Sequence, residues 1–354
     1  MSDHIEQLIA NGDIGGRTVR ILENGKVDCH VYGVAPLRDG AVRVVTVRSA
    51  ISPGTELTYV GKRATNPYLH RTWDPELRVF VEGGPLVPYP IVFGYRAAGV
   101  VIESKVSGVP VGARLFGKWR HTEYATLDAD DAAAQRLPDD LSFDDGVDLA
   151  QMLPVAINAV AHAEGRHAGG PAVVFGCGPI GLLTAQVARV TGATTVYAVD
   201  RVPERLDIAR WLGLEPVAAD EDVAVALKRI HGADGVAVAF ECAGSTEALH
   251  EAIRVVRRRG VVVVVGFYQG EAAGLRLGEE FHHNAIEIRS GQIGNVHPSF
   301  DAASLRARAV ELARSRNVVL GRLPRLELPV ERAAEGFSAL RRPAEVLQVA
   351  FKYD

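Results

Sequence analysis

The chain has 354 residues, enough for two domains of ordinary size. With 47% hydrophobic and 23% charged residues and a formal net charge of −4, its composition is that of a globular protein. A slightly acidic chain argues against nucleic acid as the main partner. The three cysteines, Cys29, Cys177 and Cys242, are widely spaced and odd in number, which favours reduced thiols and a cytoplasmic location.

Neither a signal peptide nor a membrane span is indicated. The first eight residues contain acids and have no apolar core. The most apolar long window, 171–188, contains Gly178, Pro179 and Gln186, which suit a strand–turn–helix better than a transmembrane helix. We therefore expect no membrane partner.

From residue 18 to about residue 131 the pattern is that of β-structure, with Gly, Pro and Asp between apolar runs. The predicted strands are 18–22, 42–49, 98–103 and 124–127. A helical pattern follows at 143–163, where Pro154 indicates a kink or the start of a second helix.

The next segment has the pattern of a dinucleotide-binding unit. Residues 172–175 are short, apolar and β-branched, as in a strand buried on both faces. Residues 176–181 read Gly-Cys-Gly-Pro-Ile-Gly, which matches G-x-G-x-x-G. Helical spacing at 182–190 and a second buried strand at 195–199 follow, and Asp200 comes directly after that strand.

Each part of this unit has a role in binding a dinucleotide. Gly176 permits the tight turn, Gly178 lets the pyrophosphate approach the backbone, and Gly181 lets the helix pack closely on the strand. Pro179 and Ile180 begin the helix, whose free N–H groups and positive pole favour a diphosphate. The alternative is a glycine-rich turn that binds nothing.

Asp200 is expected to accept hydrogen bonds from the ribose hydroxyls of adenosine. Its carboxylate would repel a 2′-phosphate, which favours NAD over NADP. Arg201 and Arg205 would instead attract that phosphate, so NADP stays the alternative.

The rest of the chain alternates between helices and strands, which predicts an α/β fold with a doubly wound parallel sheet. The predicted helices are 204–212, 247–256 and 302–313, and the predicted strands are 235–240, 261–265, 285–290 and 346–353. We expect a dinucleotide-binding domain at 154–297 and a second domain formed by 1–153 and 298–354.

Four further segments complete an ordered set of motifs. Residues 49–56 read Ser-Ala-Ile-Ser-Pro-Gly-Thr-Glu, residues 92–101 read Val-Phe-Gly-Tyr-Arg-Ala-Ala-Gly-Val-Val, residues 241–244 read Glu-Cys-Ala-Gly, and residues 265–267 read Val-Gly-Phe. With the glycine turn, this set resembles the medium-chain dehydrogenase/reductase superfamily, the family of the zinc alcohol dehydrogenases, over nearly the whole chain.

The resemblance implies an NAD(P)-dependent oxidoreductase with a GroES-like β-barrel catalytic domain and an inserted Rossmann domain. It also implies that the loops carrying Cys242, Ala243, Gly266 and Phe267 flank the nicotinamide. Members of the family often pair the edge strands of two Rossmann sheets, so we expect a homodimer formed through residues 285–290.

The zinc ligands of the family are missing from this sequence. The resemblance places them at Ser52 or Pro53, at Tyr95, and near Gln151, and Arg96 beside Tyr95 would repel the ion. The four-cysteine structural zinc lobe is absent too, since the chain has three cysteines. We therefore expect a zinc-free member. The alternative is a zinc site rebuilt from His70, Glu56 or Cys29.

Without zinc, other groups must polarise a carbonyl and move a proton. The resemblance places Thr55 where many members have a hydroxyl that passes on the proton of the alcohol. Tyr95 stands where the metal-binding histidine would be, and a cation at Arg96 would lower its pKa toward the range of a general acid. Arg96 is also a candidate for bidentate binding of an anionic substrate. The structural alternatives are a satisfied buried phenol at Tyr95 and a turn-capping hydroxyl at Thr55.

The predicted activity is oxidation or reduction at a secondary alcohol or ketone of a small polar or ring-containing metabolite. The loops at 51–56 and 94–99 are similar to those of bacteriochlorophyllide dehydrogenases and of dehydrogenases of bacterial secondary metabolism, and the composition, rich in Arg, Ala and Val, suits a high-GC bacterium. An NADPH-dependent C=C reductase of the quinone or enoyl type is one alternative. A catalytically inactive nucleotide-binding protein is another.

Overall fold

The computed structural model describes residues 15–61, 66–84, 86–220 and 222–353, apart from the side chain of Ala134. The chain divides into two compact units. Unit 1 comprises Met1–Gln151, Pro324–Arg342 and Gln348–Asp354, and unit 2 comprises Met152–Leu323 and Pro343–Leu347.

Unit 1 consists mainly of strands. They are β1 (Gly15–Ile21), β2 (Val27–Gly33), β3 (Ala41–Ala50), β4 (Arg71–Asp74), β5 (Val79–Glu82), β6 (Ile91–Val92), β7 (Ala97–Ser104), β8 (Arg114–Gly117), β9 (Tyr124–Asp128) and, after unit 2, β16 (Leu326–Pro329) and β17 (Val349–Lys352). Its α-helices are α1 (Pro53–Glu56), α2 (Ala129–Ala134), α3 (Phe143–Ala150) and α11 (Ala333–Ala339), and its 3₁₀ turns are Leu57–Tyr59, Pro67–Leu69 and Val330–Arg332.

β3 organises this unit because it pairs with three other strands. The main sheet has the order β16-β17-β3-β7-β8, and β9 also pairs with β3. A second sheet has the order β2-β1-β6, and β4 with β5 forms a separate hairpin. Val42 and Val44 of β3 pack with Val101, Leu115 and Trp119 in one buried cluster, as expected for β-branched side chains on a covered sheet face.

Unit 2 contains the remaining strands and helices. The strands are β10 (Pro171–Phe175), β11 (Thr195–Asp200), β12 (Glu215–Ala218), β13 (Val238–Glu241), β14 (Val261–Val264) and β15 (Glu287–Ser290). The helices are α4 (Met152–Ala161), α5 (Pro179–Val190), α6 (Pro203–Trp211), α7 (Val223–His231), α8 (Thr246–Val255), α9 (Glu280–His283) and α10 (Ala302–Arg314).

The sheet of unit 2 is parallel throughout, with the order β12-β11-β10-β13-β14-β15. From β10 the chain first adds strands on one side and then on the other, so right-handed crossovers place helices on both faces. The direction changes between β10 and β13. Crevices outside the carboxyl ends of strands at such a switch point bind dinucleotides.

The structure corrects several predicted boundaries. The helix predicted at 143–163 is divided at Gln151 into α3 and α4, and Pro154 lies in the first turn of α4, where a missing N–H costs nothing. β13 begins at Val238, later than predicted, because Gly235 closes a turn with Gly232. Residues 298–323 lie in unit 2, where α10 packs on α4, whereas the sequence assigned them to the other domain.

Among the described residues, every helix is too short or too polar to cross a bilayer.

Candidate functional site

The glycine turn after β10 has the geometry of a diphosphate cradle. Gly176 has a φ of +95°, and a Cβ there would lie 2.8 Å from the amide nitrogen of Ala243. A Cβ at Gly181 would lie 1.7 Å from the carbonyl oxygen of Gly176. At Gly178 a Cβ would meet no atom within 4 Å, so the backbone faces open space. Two glycines are therefore required by packing, and the third leaves room for a ligand.

Helix α5 directs its N-terminus at this space. Gly178 is the N-cap and Pro179 the first helical residue, and no described side chain caps the helix. Ile180 follows in the first turn. First-turn amides have no intrahelical partner and carry the positive end of the helix dipole. The predicted binding residues of the turn are thus together, and they fit a diphosphate.

Asp200 ties this turn to β11. Its Oδ2 accepts a hydrogen bond from the Cys177 amide at 2.6 Å, and its Oδ1 accepts one from the Val202 amide at 2.9 Å. Each carboxylate oxygen can still accept a second hydrogen bond, as ribose recognition requires. Arg205 Nη1 lies 4.0 Å from Oδ2, and Arg201 is exposed. The structural tie to Cys177 was not predicted, because it joins residues that are distant in sequence.

The predicted nicotinamide-side residues pack against the same turn. The Cys242 amide donates to the Phe175 carbonyl at 2.8 Å, which places Ala243 beside Gly176. A Cβ at Gly266 would lie 2.4 Å from the Gly244 amide nitrogen. The carbonyl oxygen of Phe267 lies 3.1 Å from the position of a Cβ at Gly244. Burial raises the pKa of the Cys242 thiol, so this cysteine stays protonated and unreactive.

In unit 1, a cluster of three hydroxyls lies at residues 49–56, the segment that resembles the first active-site loop of the family. Tyr95, which follows β6, lies close enough to the side-chain hydroxyls of Ser52 and Thr55 for both to act on its pKa. Ser52 is the N-cap residue of α1 and is buried, whereas Thr55 and Tyr95 are half-buried. The sequence predicted Thr55 and Tyr95. Ser52 was considered only as a failed metal ligand, although its place in that loop was a signal for it.

The expected direction of the Tyr95 pKa shift is wrong. Burial of the phenol and then the nearby Glu56 carboxylate raise the pKa of Tyr95. The hydroxyls of Ser52 and Thr55 and the Arg96 guanidinium act in the opposite direction but are outweighed. Tyr95 is therefore a protonated hydrogen-bond donor at neutral pH.

Arg96 is a structural residue rather than a substrate anchor. Its side chain is 0% exposed, with Nε donating to the Ala50 carbonyl at 3.0 Å and Nη2 to the Ile51 carbonyl at 2.7 Å. Nη1 donates to Asp148 Oδ1 at 3.1 Å, and Asp148 Oδ2 accepts from Arg325 at 3.2 Å. This side chain fixes the end of β3, where the active-site loop begins, and has no direction left for a ligand.

The sequence did not predict a fully buried carboxylate–imidazole pair, formed by Glu56 and His121, which is hydrogen-bonded to the backbone of Ser52. Glu56 Oε2 is 2.9 Å from His121 Nε2, and Glu56 Oε1 accepts from the Ser52 amide at 2.8 Å. His121 Nδ1 is 2.8 Å from Ser49 Oγ, which is 2.8 Å from the Tyr353 hydroxyl. Both ring nitrogens of His121 therefore have a hydrogen-bond partner. The pair thereby holds the loop that carries Ser52.

Comparison with known proteins decides the family. The family model described as zinc-binding dehydrogenase matches residues 179–305. The chain is 31% identical over 249 residues to D-guloside 3-dehydrogenase of Escherichia coli (strain K12), a match that covers 66% of this chain and 69% of that protein. The chain belongs to the medium-chain dehydrogenase/reductase superfamily.

Other members of this superfamily support the assignment. (R,R)-Butanediol dehydrogenase of Bacillus subtilis (strain 168) is 36% identical over 237 residues, which cover 58% of this chain and 65% of that enzyme, slightly less than two thirds. A crystal structure of 2R,3R-butanediol dehydrogenase from Bacillus subtilis covers 96% of this chain and 100% of that chain, with a TM-score of 0.76 and 22% identity. The predicted superfamily and fold class are confirmed.

The donors at the expected metal position do not fit a catalytic zinc. Such a site takes nitrogen, thiolate or carboxylate ligands. Here the corresponding groups are the Ser52 hydroxyl, the Tyr95 phenol and the Gln151 amide, and the Gln151 Oε1 atom is buried without a partner among the described residues. Pro53 offers no side-chain donor, and Arg96 adds positive charge nearby.

The rebuilt zinc site is not supported either. Within the described ranges, the group of His, Cys, Asp and Glu side chains that could share an ion is His250, Glu279 and Glu280, in unit 2. There Arg276 donates to His250 Nε2 and to Glu279 at 2.8 Å each, and Arg254 lies 3.4 Å from Glu280. This cluster is already neutralised by arginine, and it does not include the alternative ligands His70, Glu56 and Cys29.

Proposed function

We propose that the protein is a zinc-independent, NAD(H)-dependent oxidoreductase that interconverts a secondary alcohol and a ketone on a small polar or ring-containing metabolite. The observation that carries this proposal is the cradle at 176–181, which opens at Gly178 at the switch point of a parallel sheet. The Asp200 carboxylate at the end of β11 supports NAD over NADP.

Tyr95 is the residue that we expect to act on the substrate oxygen. The nicotinamide supplies the hydride chemistry when bound. Because Tyr95 stays protonated, its hydroxyl can donate a hydrogen bond to a ketone oxygen and release its proton as the alcohol forms. The hydroxyls of Ser52 and Thr55 stabilise the negative charge that this leaves on the phenol oxygen.

The surroundings of Tyr95 support a ring-containing substrate. The rings of Tyr59 and Phe93 are 4.7 Å apart between centroids. Burial raises the pKa of Tyr59, and the nearby phenols of Tyr68, Tyr89 and Tyr95 raise it further. Aromatic faces beside hydroxyl groups suit a sugar or cyclic polyol. The names of the two relatives, a guloside dehydrogenase and a butanediol dehydrogenase, support hydroxyl-bearing carbon as the class of substrate.

One observation favours a different cofactor. Arg205 lies 4.0 Å from Asp200, and its Nε is buried without a partner in the described part of the chain. A cation there reduces the repulsion of a 2′-phosphate, so the NADPH-dependent C=C reductase is the second candidate. We also propose a cytoplasmic homodimer with small-molecule partners. A place in bacterial secondary metabolism stays a prediction from composition and loop similarity.

The first test is a fluorescence titration of purified, metal-analysed protein with NADH and with NADPH, followed by a screen of ketones and cyclic polyols. Tight NADH binding and turnover without stoichiometric zinc are the expected results. Preference for NADPH would instead favour the C=C reductase as the function. Turnover that requires zinc would overturn the metal-free mechanism, and binding without any turnover would point to an inactive nucleotide-binding protein.

Tyr95→Phe tests the proposed donor. We expect turnover to fall about 100-fold or more, the size of a general-acid contribution, while NADH affinity stays the same. Tyr32→Phe is the matched control, because it removes another phenol of unit 1, one that bonds to the Thr122 hydroxyl at 2.7 Å and to the Tyr124 carbonyl at 2.9 Å. Equal turnover in the two variants would remove Tyr95 from the mechanism.

A further inference from the structure

A buried carboxylate lies at the carboxyl end of β13. Glu241 is 0% exposed. Its Oε1 accepts hydrogen bonds from the amides of Ala243 and Gly244, both at 2.8 Å. Its Oε2 accepts one from the Tyr268 hydroxyl at 2.6 Å. One side chain therefore joins the loop after β13 to the loop after β14.

The backbone of Glu241 makes the same connection. Its carbonyl oxygen accepts from the amides of Val265 and Gly266, at 2.8 and 2.9 Å. A Cβ at Gly266 would lie 2.4 Å from the Gly244 amide nitrogen, so Gly266 has no room for a side chain, and Gly244 has a φ of +71°, which favours glycine. The two loops are thus held in contact through Glu241 and through each other.

The contact between the buried Glu241 and Tyr268 indicates a role beyond packing in the core. Burying a carboxylate is costly, and burial raises the pKa of Glu241 against the effect of its donors. This cost is offset only if the carboxylate oxygens accept hydrogen bonds from well-placed donors. Here Glu241 accepts three short hydrogen bonds. The same burial raises the pKa of Tyr268, so its phenol stays a donor. This arrangement sets the two loops in one conformation.

The two loops occupy a defined part of the switch-point crevice. Asp200, the expected ribose acceptor, is at the end of β11, and the phosphate cradle follows β10. β13 and β14 lie on the other side of β10 from β11. A dinucleotide that crosses the cradle from Asp200 therefore places its nicotinamide half over the loops after β13 and β14.

We propose that Glu241 and Tyr268 are a positioning pair that fixes the two loops beneath the nicotinamide half of the dinucleotide. Neither side chain touches the reacting atoms. The pair acts through the backbone of Ala243, Gly244 and Gly266, and small displacements of such supports reduce rate more than affinity. The inference rests on the proposed dinucleotide-dependent function.

Tyr268→Phe removes one hydrogen bond without changing the ring. We expect kcat to fall about tenfold, as for the loss of one hydrogen bond to a charged group, while the Kd for NADH changes less than threefold. Tyr197→Phe is the matched control in the same sheet, because it removes a phenol hydrogen bond to His231 at 2.7 Å away from these loops. A kcat that falls equally in both variants would contradict the proposal.

Amide hydrogen exchange tests the same pair without turnover. In Tyr268→Phe and in Glu241→Gln, exchange at 242–245 and 265–268 should rise relative to the rest of unit 2, while the control variant leaves both segments unchanged. Unchanged exchange in the two loops would overturn the inference even in an active enzyme. If the wild-type protein binds neither NADH nor NADPH, the proposed function has failed, even where exchange rises in the two loops of the variants.

Discussion

Tyr95 and Arg96 are neighbours in the chain, but the structure gives them separate environments. Arg96 precedes β7 and extends into the buried network around Asp148, while Tyr95 reaches the hydroxyls of Ser52 and Thr55. Successive side chains of extended backbone point to opposite faces, so adjacency in sequence was a poor guide to electrostatic effect. Among the charged groups near Tyr95, the Glu56 carboxylate has the largest effect on its pKa, and the burial of Glu56 could not be predicted from the sequence.

This environment gives a pH dependence. An ordinary phenol loses its proton near pH 10, and the raised pKa of Tyr95 moves that loss to higher pH. The donor form is fully present below the raised pKa, so we expect kcat for ketone reduction to show no loss from Tyr95 between about pH 7 and 9.5. Steady-state rates across that range check this. A falling limb near pH 8 that disappears in Tyr95→Phe would show that the pKa is lowered instead.

At the scale of elements, the strand–turn–helix unit of unit 2 was predicted well because its signals are local. A β-branched run, three spaced glycines and a helical period each act within a few residues. The sequence analysis missed the hairpin of β4 and β5 and placed the start of β13 too early. Strands of four residues carry little periodic pattern from which to predict them. Contacts such as Glu56 with His121 join residues far apart in the chain and leave no local signal.

We expect Asp200 to bind the ribose, in addition to holding the glycine turn through the Cys177 amide. Asp200→Gly should weaken NADH binding about tenfold, the size of one charged hydrogen bond, and relax discrimination against NADPH. It should also lower the melting temperature, because the Cys177 amide loses its acceptor. Titrations with both nucleotides and a thermal melt measure these effects. An unchanged preference for NADH would mean that the ribose contact is misassigned.

At the scale of the whole molecule, β15 forms one end of the six-stranded sheet of unit 2. An edge strand presents unpaired backbone groups, and Ile288 on it is 40% exposed. We expect a homodimer formed through this edge, with sedimentation showing two chains at micromolar concentration and Ile288→Asp shifting the equilibrium to monomer. Ile230→Asp, at a residue of α7 that is 64% exposed, is the control. A wild-type monomer at that concentration would contradict the prediction.

The position of β17 has a consequence for how the protein is made. β17 pairs with β3, and Gln348 beside it contacts the buried Arg96. A ribosome therefore completes every strand of unit 2 before it delivers the strand that closes the sheet of unit 1. At about 5 to 20 residues per second, unit 2 takes on the order of ten to thirty seconds to emerge. During that time the end of β3 at 48–50 has an open edge in the nascent chain, and binding by a chaperone would protect it most effectively then.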